Sequence, residues 1–159
     1  MKIHIREATW ADLPAIKEKT IETGWNDLLP EQKERLSRQE IHYQVGHLFD
    51  RLIREPKLNS KLFVAKDQEG RYVGHIWLGE SVDTYTGKRR GFIFDLYVVE
   101  EHRKQGIGQS LMARAERIGR QRGYTTIGLM VAPHNRGAIS LYEKLGYRTE
   151  RLAMVKLLP

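Results

Sequence analysis

Leu96-Tyr97-Val98-Val99-Glu100-Glu101-His102-Arg103-Lys104-Gln105-Gly106-Ile107-Gly108 runs from a strand-like apolar stretch through a basic, glycine-containing turn and straight into a helical pattern. Ile107, Leu111, Ala115 and Ile118 make the helical stripe, arginines follow in its last turns, and Gly123 is placed as a left-handed stop. A strand-to-helix turn of this kind aims successive backbone N–H groups at one point, at the positive end of the helix dipole. It reads as an anion site, with the glycines letting a phosphate approach the backbone. Two other glycine-rich phosphate loops are excluded. A dinucleotide fingerprint needs glycine where Leu111 stands, and a P-loop needs Gly-Lys-Ser/Thr where Gly108-Gln109-Ser110 stands.

Upstream, strand-like runs at 62–65, 72–78 and 91–99, the first two separated by Asp67-Gln68-Glu69-Gly70, suggest an antiparallel meander. Before them come an alternating segment at 2–7, a Thr9/Asp12 capping box, and a helix with Leu13, Ile16 and Thr20 inward. A break at 24–30 and a second helix carrying Ile41, Val45, Leu48, Phe49 and Leu52 follow. Downstream, Ile127, Leu129 and Val131 alternate as a strand. Asn135 caps a helix lined by Ala138, Leu141, Tyr142 and Leu145 and stopped by Gly146, and 154–158 reads as a last strand. The order βααβββαβαβ describes an α+β fold, a mixed sheet with helices on its faces.

The 159 residues contain no repeat, low-complexity tract or linker, so a single domain spanning 1–159 is expected. Neither a signal-peptide run nor a stretch of about 18 apolar residues is present, which points to the cytoplasm. The absence of cysteine removes disulfides, thiolate metal ligands and a cysteine acyl-enzyme. His42 and His47 stand off a common helix face, and no histidine spacing suggests a metal. The net charge of +7 favours a polyanionic partner, whether nucleic acid, an anionic membrane or a phosphate-rich cofactor. The basic runs lack interleaved aromatics, so nucleic acid is not the expected partner.

Arg103-Lys104-Gln105-Gly106-Ile107-Gly108 resembles the Gln/Arg-x-x-Gly-x-Gly/Ala hallmark of the GNAT superfamily of N-acetyltransferases. Asn135-Arg136-Gly137-Ala138-Ile139-Ser140-Leu141-Tyr142-Glu143-Lys144-Leu145-Gly146-Tyr147 resembles its second element, Asn-x-x-Ala-x-x-Leu-Tyr-x-x-x-Gly-Phe/Tyr. Ile5-Arg6-Glu7-Ala8-Thr9 and Met154-Val155-Lys156-Leu157 are similar to the family's terminal strands. The resemblance implies a mostly antiparallel mixed sheet splayed between strands 4 and 5, with acetyl-CoA in the gap and no metal. Cofactor binding falls on Arg103, Lys104, Gln105, Gly106, Ile107, Gly108 and Gln109, the pyrophosphate lying over the last six. The pantetheine arm falls on the backbone of Leu96, Tyr97 and Val98, with the Val98 N–H also facing the thioester oxyanion. Asn135 contacts the arm, and Tyr142 stands near the sulfur as general acid.

The chain departs from one family pattern, because the fifth-strand glutamate of members acetylating protein N-termini is Met130. The candidate base is Asp95, set among Phe92, Ile93 and Phe94 on the opposite strand face from Leu96, where burial raises a carboxylate's pKa. A buried structural carboxylate is the other reading, and Glu80 and Glu101 are further candidates. Few residues follow Gly146, so 24–30, with Trp25, is the expected acceptor wall, and a homodimer that helps close it stays open. The expected function is transfer of acetyl from acetyl-CoA to a primary amine in a ternary complex. The alternative is a CoA- or acyl-CoA-binding sensor or partner subunit without turnover. A small amine, an amino acid, an antibiotic or a protein terminus all fit as acceptor.

Overall fold

The computed structural model describes residues 2–159; Met1, part of the expected 1–159 unit, lies outside them. Strands β1 (His4–Glu7), β2 (Lys61–Lys66), β3 (Tyr72–Val82), β4 (Arg89–Val98) and β5 (Ile127–Leu129) lie side by side in chain order. The first four pair antiparallel, while β5 runs parallel to β4 through the crossover helix α4 (Ile107–Gln121). Pairing of β4 with β5 is confined to Gly91–Ile93 against Ile127–Leu129. Past Ile93 the two strands part, which is the expected splay.

Alternation along the strands sorts the core onto two faces. Phe63, Ala65 and Ile76 pack with Ile107, Leu111, Met112 and Ala115 of α4. Leu62 and Trp77 turn the other way, onto Ile16 of α1 (Leu13–Asn26) and Phe49 of α3 (Arg38–Leu52). Helices therefore cover both faces, as the pattern predicts. One irregularity matters for the site. Trp77 lies opposite Asp95 but Leu78 lies opposite Ile93, so Phe94 is an extra residue in β4. The bulge sends two consecutive side chains to the α1/α3 face. Phe94 packs on Trp77 at 5.0 Å, and Asp95 meets α1.

Three expectations need correction. The break at 24–30 is not one, because α1 continues through Gly24 to Asn26 before the single turn α2 (Pro30–Lys33). Gly24 serves helix contact: a Cβ there would lie 2.8 Å from Val45 Cγ2 of α3. The strand expected around Val131 stops at Leu129, and no terminal strand forms at 154–158, where Met154 and Val155 are exposed. A strand-like sequence makes a strand only beside a ladder that takes its N–H and C=O groups, and β5 is three residues long. The tail is held instead by Arg151 on Asp83 at 3.3 Å and by Arg35 on the Leu158 carbonyl at 3.1 Å. Among the described residues, no helix is long and apolar enough to cross a membrane.

Entry into α1 is fixed electrostatically. The buried Asp12 carboxylate accepts from Arg6 at 2.7 Å, from the Thr9 N–H at 2.8 Å, and meets Lys66 at 3.1 Å. The Arg6 guanidinium holds this carboxyl far below the usual range. A lowered folded pKa adds stability above the unfolded value near ~3.9, and that stability is lost as pH falls below it. Asp12→Asn is expected to cost about 2 kcal/mol at pH 7, because Arg6 is part-exposed and the pair is weaker than a fully buried one. The difference should shrink at pH 3, which denaturant titrations at both pH values check.

Candidate active site

The open edge of β4 is the centre of the site. The Val99 N–H bonds back to the Val73 carbonyl of β3 at 3.0 Å. Backbone groups alternate sides along a strand, so the polar groups of Leu96 and Val98 point away from β3, into the gap left by β5. Arg103 Nε donates to the Val98 carbonyl at 2.9 Å, which leaves the Val98 N–H facing the gap. The Tyr97 side chain lies on the α1 face, where its hydroxyl donates to Glu22 at 3.0 Å and Lys19 stands 5.2 Å from its ring.

The turn after β4 places Lys104 (φ 60°) and Gly106 (φ 80°) in the left-handed region. Gly106 is the N-cap of α4 and has no side chain to satisfy the first-turn amides. The Ser110 N–H closes the first helical bond on the Gly106 carbonyl at 3.0 Å, so the N–H groups of Ile107, Gly108 and Gln109 lack intrahelical partners. The Ile107 side chain is in the core, so only its backbone can serve a ligand. Lys104, Gln105 and Gln109 are exposed, and Gln105 donates to the Glu101 carbonyl at 3.1 Å. The two glycines divide the work differently from the sequence reading. A Cβ at Gly106 meets nothing within 4 Å, so its requirement is φ; one at Gly108 would stand 3.1 Å from Leu141 Cδ2, so its requirement is helix packing.

Asn135 caps α5 (Arg136–Lys144) by accepting the Ala138 N–H at 3.2 Å, and its side-chain amide NH2 remains available. Tyr142 on that helix is buried. Burial first, then the charges of Asp95 and Asp27, push its hydroxyl up to about 12. It therefore carries its proton throughout the neutral range.

Asp95 is buried and accepts from the Thr20 hydroxyl at 2.6 Å and from His75 Nε2 at 2.9 Å, both on Oδ2. His75, fully buried, has its Nδ1 2.5 Å from the Tyr72 hydroxyl. Burial, reinforced by the Asp95 charge, raises the Tyr72 pKa, so Tyr72 keeps its proton and donates to Nδ1. That assigns the imidazole proton to Nε2, facing Asp95. Oδ1 of Asp95 is left to a cavity of about 200 Å³ between α1, α3 and the bulge. Asp27 also lines it, its pKa raised by burial and then by Asp95. Gly24 and Asp27 of the expected acceptor wall 24–30 line the cavity, whereas sequence reasoning missed His75 and read Thr20 only as core. His75 is the one histidine in the apolar run 72–78, a signal that is informative only once its partner is known.

Other candidates are placed elsewhere. Trp25 does not line the cavity; it lies under Lys33 and Arg38, at 5.6 and 4.8 Å. Glu80 is engaged by Asn59 at 3.0 Å, by Arg89 at 2.6 Å and by Tyr124, as a tie between strand ends. Glu101 is exposed beside the turn, and Met130 is 84% exposed just past β5. Among the described residues, no three ligating side chains are grouped to hold a metal.

The model of the acetyltransferase (GNAT) family matches residues 23–147. The catalytic subunit of the N-terminal acetyltransferase A complex of Arabidopsis thaliana is 32% identical over 126 residues, covering 77% of this chain. The chain spans 62% of that relative's length. A provisionally assigned acetyl transferase from Pyrococcus furiosus superposes with a TM-score of 0.84 at 28% identity, over 99% of this chain and 100% of its own. A predicted acetyltransferase from Clostridium acetobutylicum, solved with acetyl-CoA, shares the fold with a TM-score of 0.71 at 17% identity, over 98% and 96% of the two chains.

Proposed function

The chain belongs to the acetyltransferase (GNAT) family, and on that premise we propose that it moves the acetyl group of acetyl-CoA to a primary amine by direct attack in a ternary complex. The observation that carries this reading is the open edge of β4 past Ile93, with the Leu96 and Val98 backbone turned into the gap. Acetyl-CoA supplies an activated acyl group on a thiol leaving group, and the chain's own features fit it. The free first-turn amides of α4 and the exposed Lys104 suit the pyrophosphate. The open edge suits the amides of the pantetheine arm, and the Asn135 amide can reach the same arm. The neighbour from Clostridium acetobutylicum, solved with acetyl-CoA, supports the assignment.

In this reading Asp95 Oδ1 takes a proton from the bound ammonium, directly or through one water, and frees the nitrogen lone pair. The nitrogen bonds to the carbonyl carbon while the Val98 N–H faces the oxygen that gains charge, an interaction worth about 3–4 kcal/mol in comparable sites. The C–S bond then breaks, and Tyr142 donates a hydrogen bond to the departing sulfur. Full proton transfer from a hydroxyl near 12 to a thiolate near ~8.5 is uphill by about 5 kcal/mol. Tyr142 therefore acts by hydrogen bonding, and the proton that finally resides on CoA derives from the amine.

Thermal unfolding with acetyl-CoA, CoA or NAD at equal ionic strength tests the donor site. Ligand at about 100 times Kd adds about 2.7 kcal/mol, a rise of a few degrees for a domain of this size. Both CoA species are expected to raise the midpoint and NAD to leave it; no shift with either removes the phosphate role of Lys104 to Gln109. The non-catalytic alternative shares the shift but predicts no thiol release with any amine.

A further inference from the structure

We propose that the acceptor is a primary amine carried on a compact apolar group, its ammonium between Asp95 and Asp27 and its apolar part in the cavity between α1, α3 and the β4 bulge. The inference rests on the acetyl-transfer reading and narrows its substrate class. The cavity holds about 200 Å³. That exceeds the roughly 150 Å³ that admits benzene and falls short of the roughly 300 Å³ at which pockets for larger ligands begin. A ring or short alkyl chain fits inside; an aminoglycoside or a length of peptide does not.

The walls set the chemistry of the occupant. Val45, Leu48 and Phe49 of α3 face Trp77 and Phe94 of the sheet, and the bulge is what brings Phe94 round to join Asp95. The polar lining is one-sided. Thr20 is committed to Asp95 at 2.6 Å, and Thr23 donates to the Lys19 carbonyl at 3.0 Å. Both partners of Asp95 occupy Oδ2, so Oδ1 is the oxygen left for the cavity. Among the described residues, no lysine, arginine or histidine lines this cavity. Lys33 and His134 act on Asp27 only from outside the lining, so two carboxylates facing an apolar chamber complement an ammonium and repel a carboxylate. An α-amino acid, whose carboxylate sits next to its amine, is thereby disfavoured against the amine of the same side chain.

Two measurements test this. The first is thiol release from acetyl-CoA with 2-phenylethylamine, ethanolamine, phenylalanine, kanamycin and a tetrapeptide amide. 2-Phenylethylamine is expected to exceed the others in kcat/KM by about tenfold or more. Asp27→Asn should raise its KM about tenfold and leave the KM of acetyl-CoA unchanged. Leu48→Lys, at a position 42% exposed and hence tolerant of substitution, should abolish the preference. Preference for ethanolamine, phenylalanine, kanamycin or the peptide overturns the proposal. The second measurement is calorimetric titration of 2-phenylethylamine and ethanolamine into the CoA-loaded protein. If no amine is acetylated, the transfer reading fails while the cavity is still decided: tighter binding of 2-phenylethylamine upholds it, and equal or absent binding overturns it.

Discussion

Asp95→Asn is expected to lower kcat by about two to four orders of magnitude, the range a positioned general base supplies. Thermal stability and acetyl-CoA affinity should change little. The substitution suits the question because asparagine keeps an oxygen that can accept from Thr20 and His75, the two groups that hold Asp95 at 2.6 and 2.9 Å. What it loses is the ability to take a proton at the cavity wall. A stopped-flow or thiol-release assay across pH 6–9 with the thermal midpoint as control separates the two readings of this residue. A near-normal rate with an unchanged pH profile removes Asp95 as base and leaves it as the anchor joining β4 to α1. A large fall in both midpoint and rate assigns the effect to lost structure. His75 and Tyr72 extend the test, since their chain of hydrogen bonds orients the imidazole proton toward Asp95. Tyr72→Phe frees the tautomer without touching the cavity, and a positioning role predicts a lowered kcat at unchanged acceptor KM.

What could be read beforehand was local in sequence. The strand, turn and helix of 96–121 are contiguous, and each part has its own signal: the glycine at a left-handed φ, the apolar stripe, the stop at Gly123. Sheet order and helix placement followed from alternation and the resemblance in two motifs. The constellation around Asp95 was not legible, because it depends on one extra residue. Without the bulge at Phe94, two-residue periodicity puts Phe94 and Asp95 on opposite faces, and the cavity loses a wall. The histidine at 75 carries meaning only through its register against β4, where it lies beside Tyr97. Gly24 misled for a related reason. Glycine signals a break in isolation, whereas here the missing Cβ lets α1 approach Val45 of α3. The tail misled because 154–158 has strand composition, but composition supplies no ladder to pair with.

Tyr142→Phe is expected to reduce kcat about a hundredfold, within the range for loss of acid or hydrogen-bond assistance to a leaving group. Both KM values should stay near those of the unaltered protein. The ring remains suited to its place, buried at the sheet face with Tyr147 6.0 Å away, so only the hydroxyl is lost. Because burial and the charges of Asp95 and Asp27 push that hydroxyl up to about 12, it is protonated at every pH from 6 to 9. Its removal should therefore scale the rate by a constant factor and leave the inflections of the pH profile where they are. The leaving group supplies a second discriminating readout. A donor whose thiol is more acidic than that of CoA needs less help as it departs, so an acetyl thioester of an aromatic thiol should show a smaller loss with the variant. A structural defect would slow both donors equally. Equal loss, or full activity with phenylalanine in place, removes Tyr142 from the chemistry and returns it to the core it packs in.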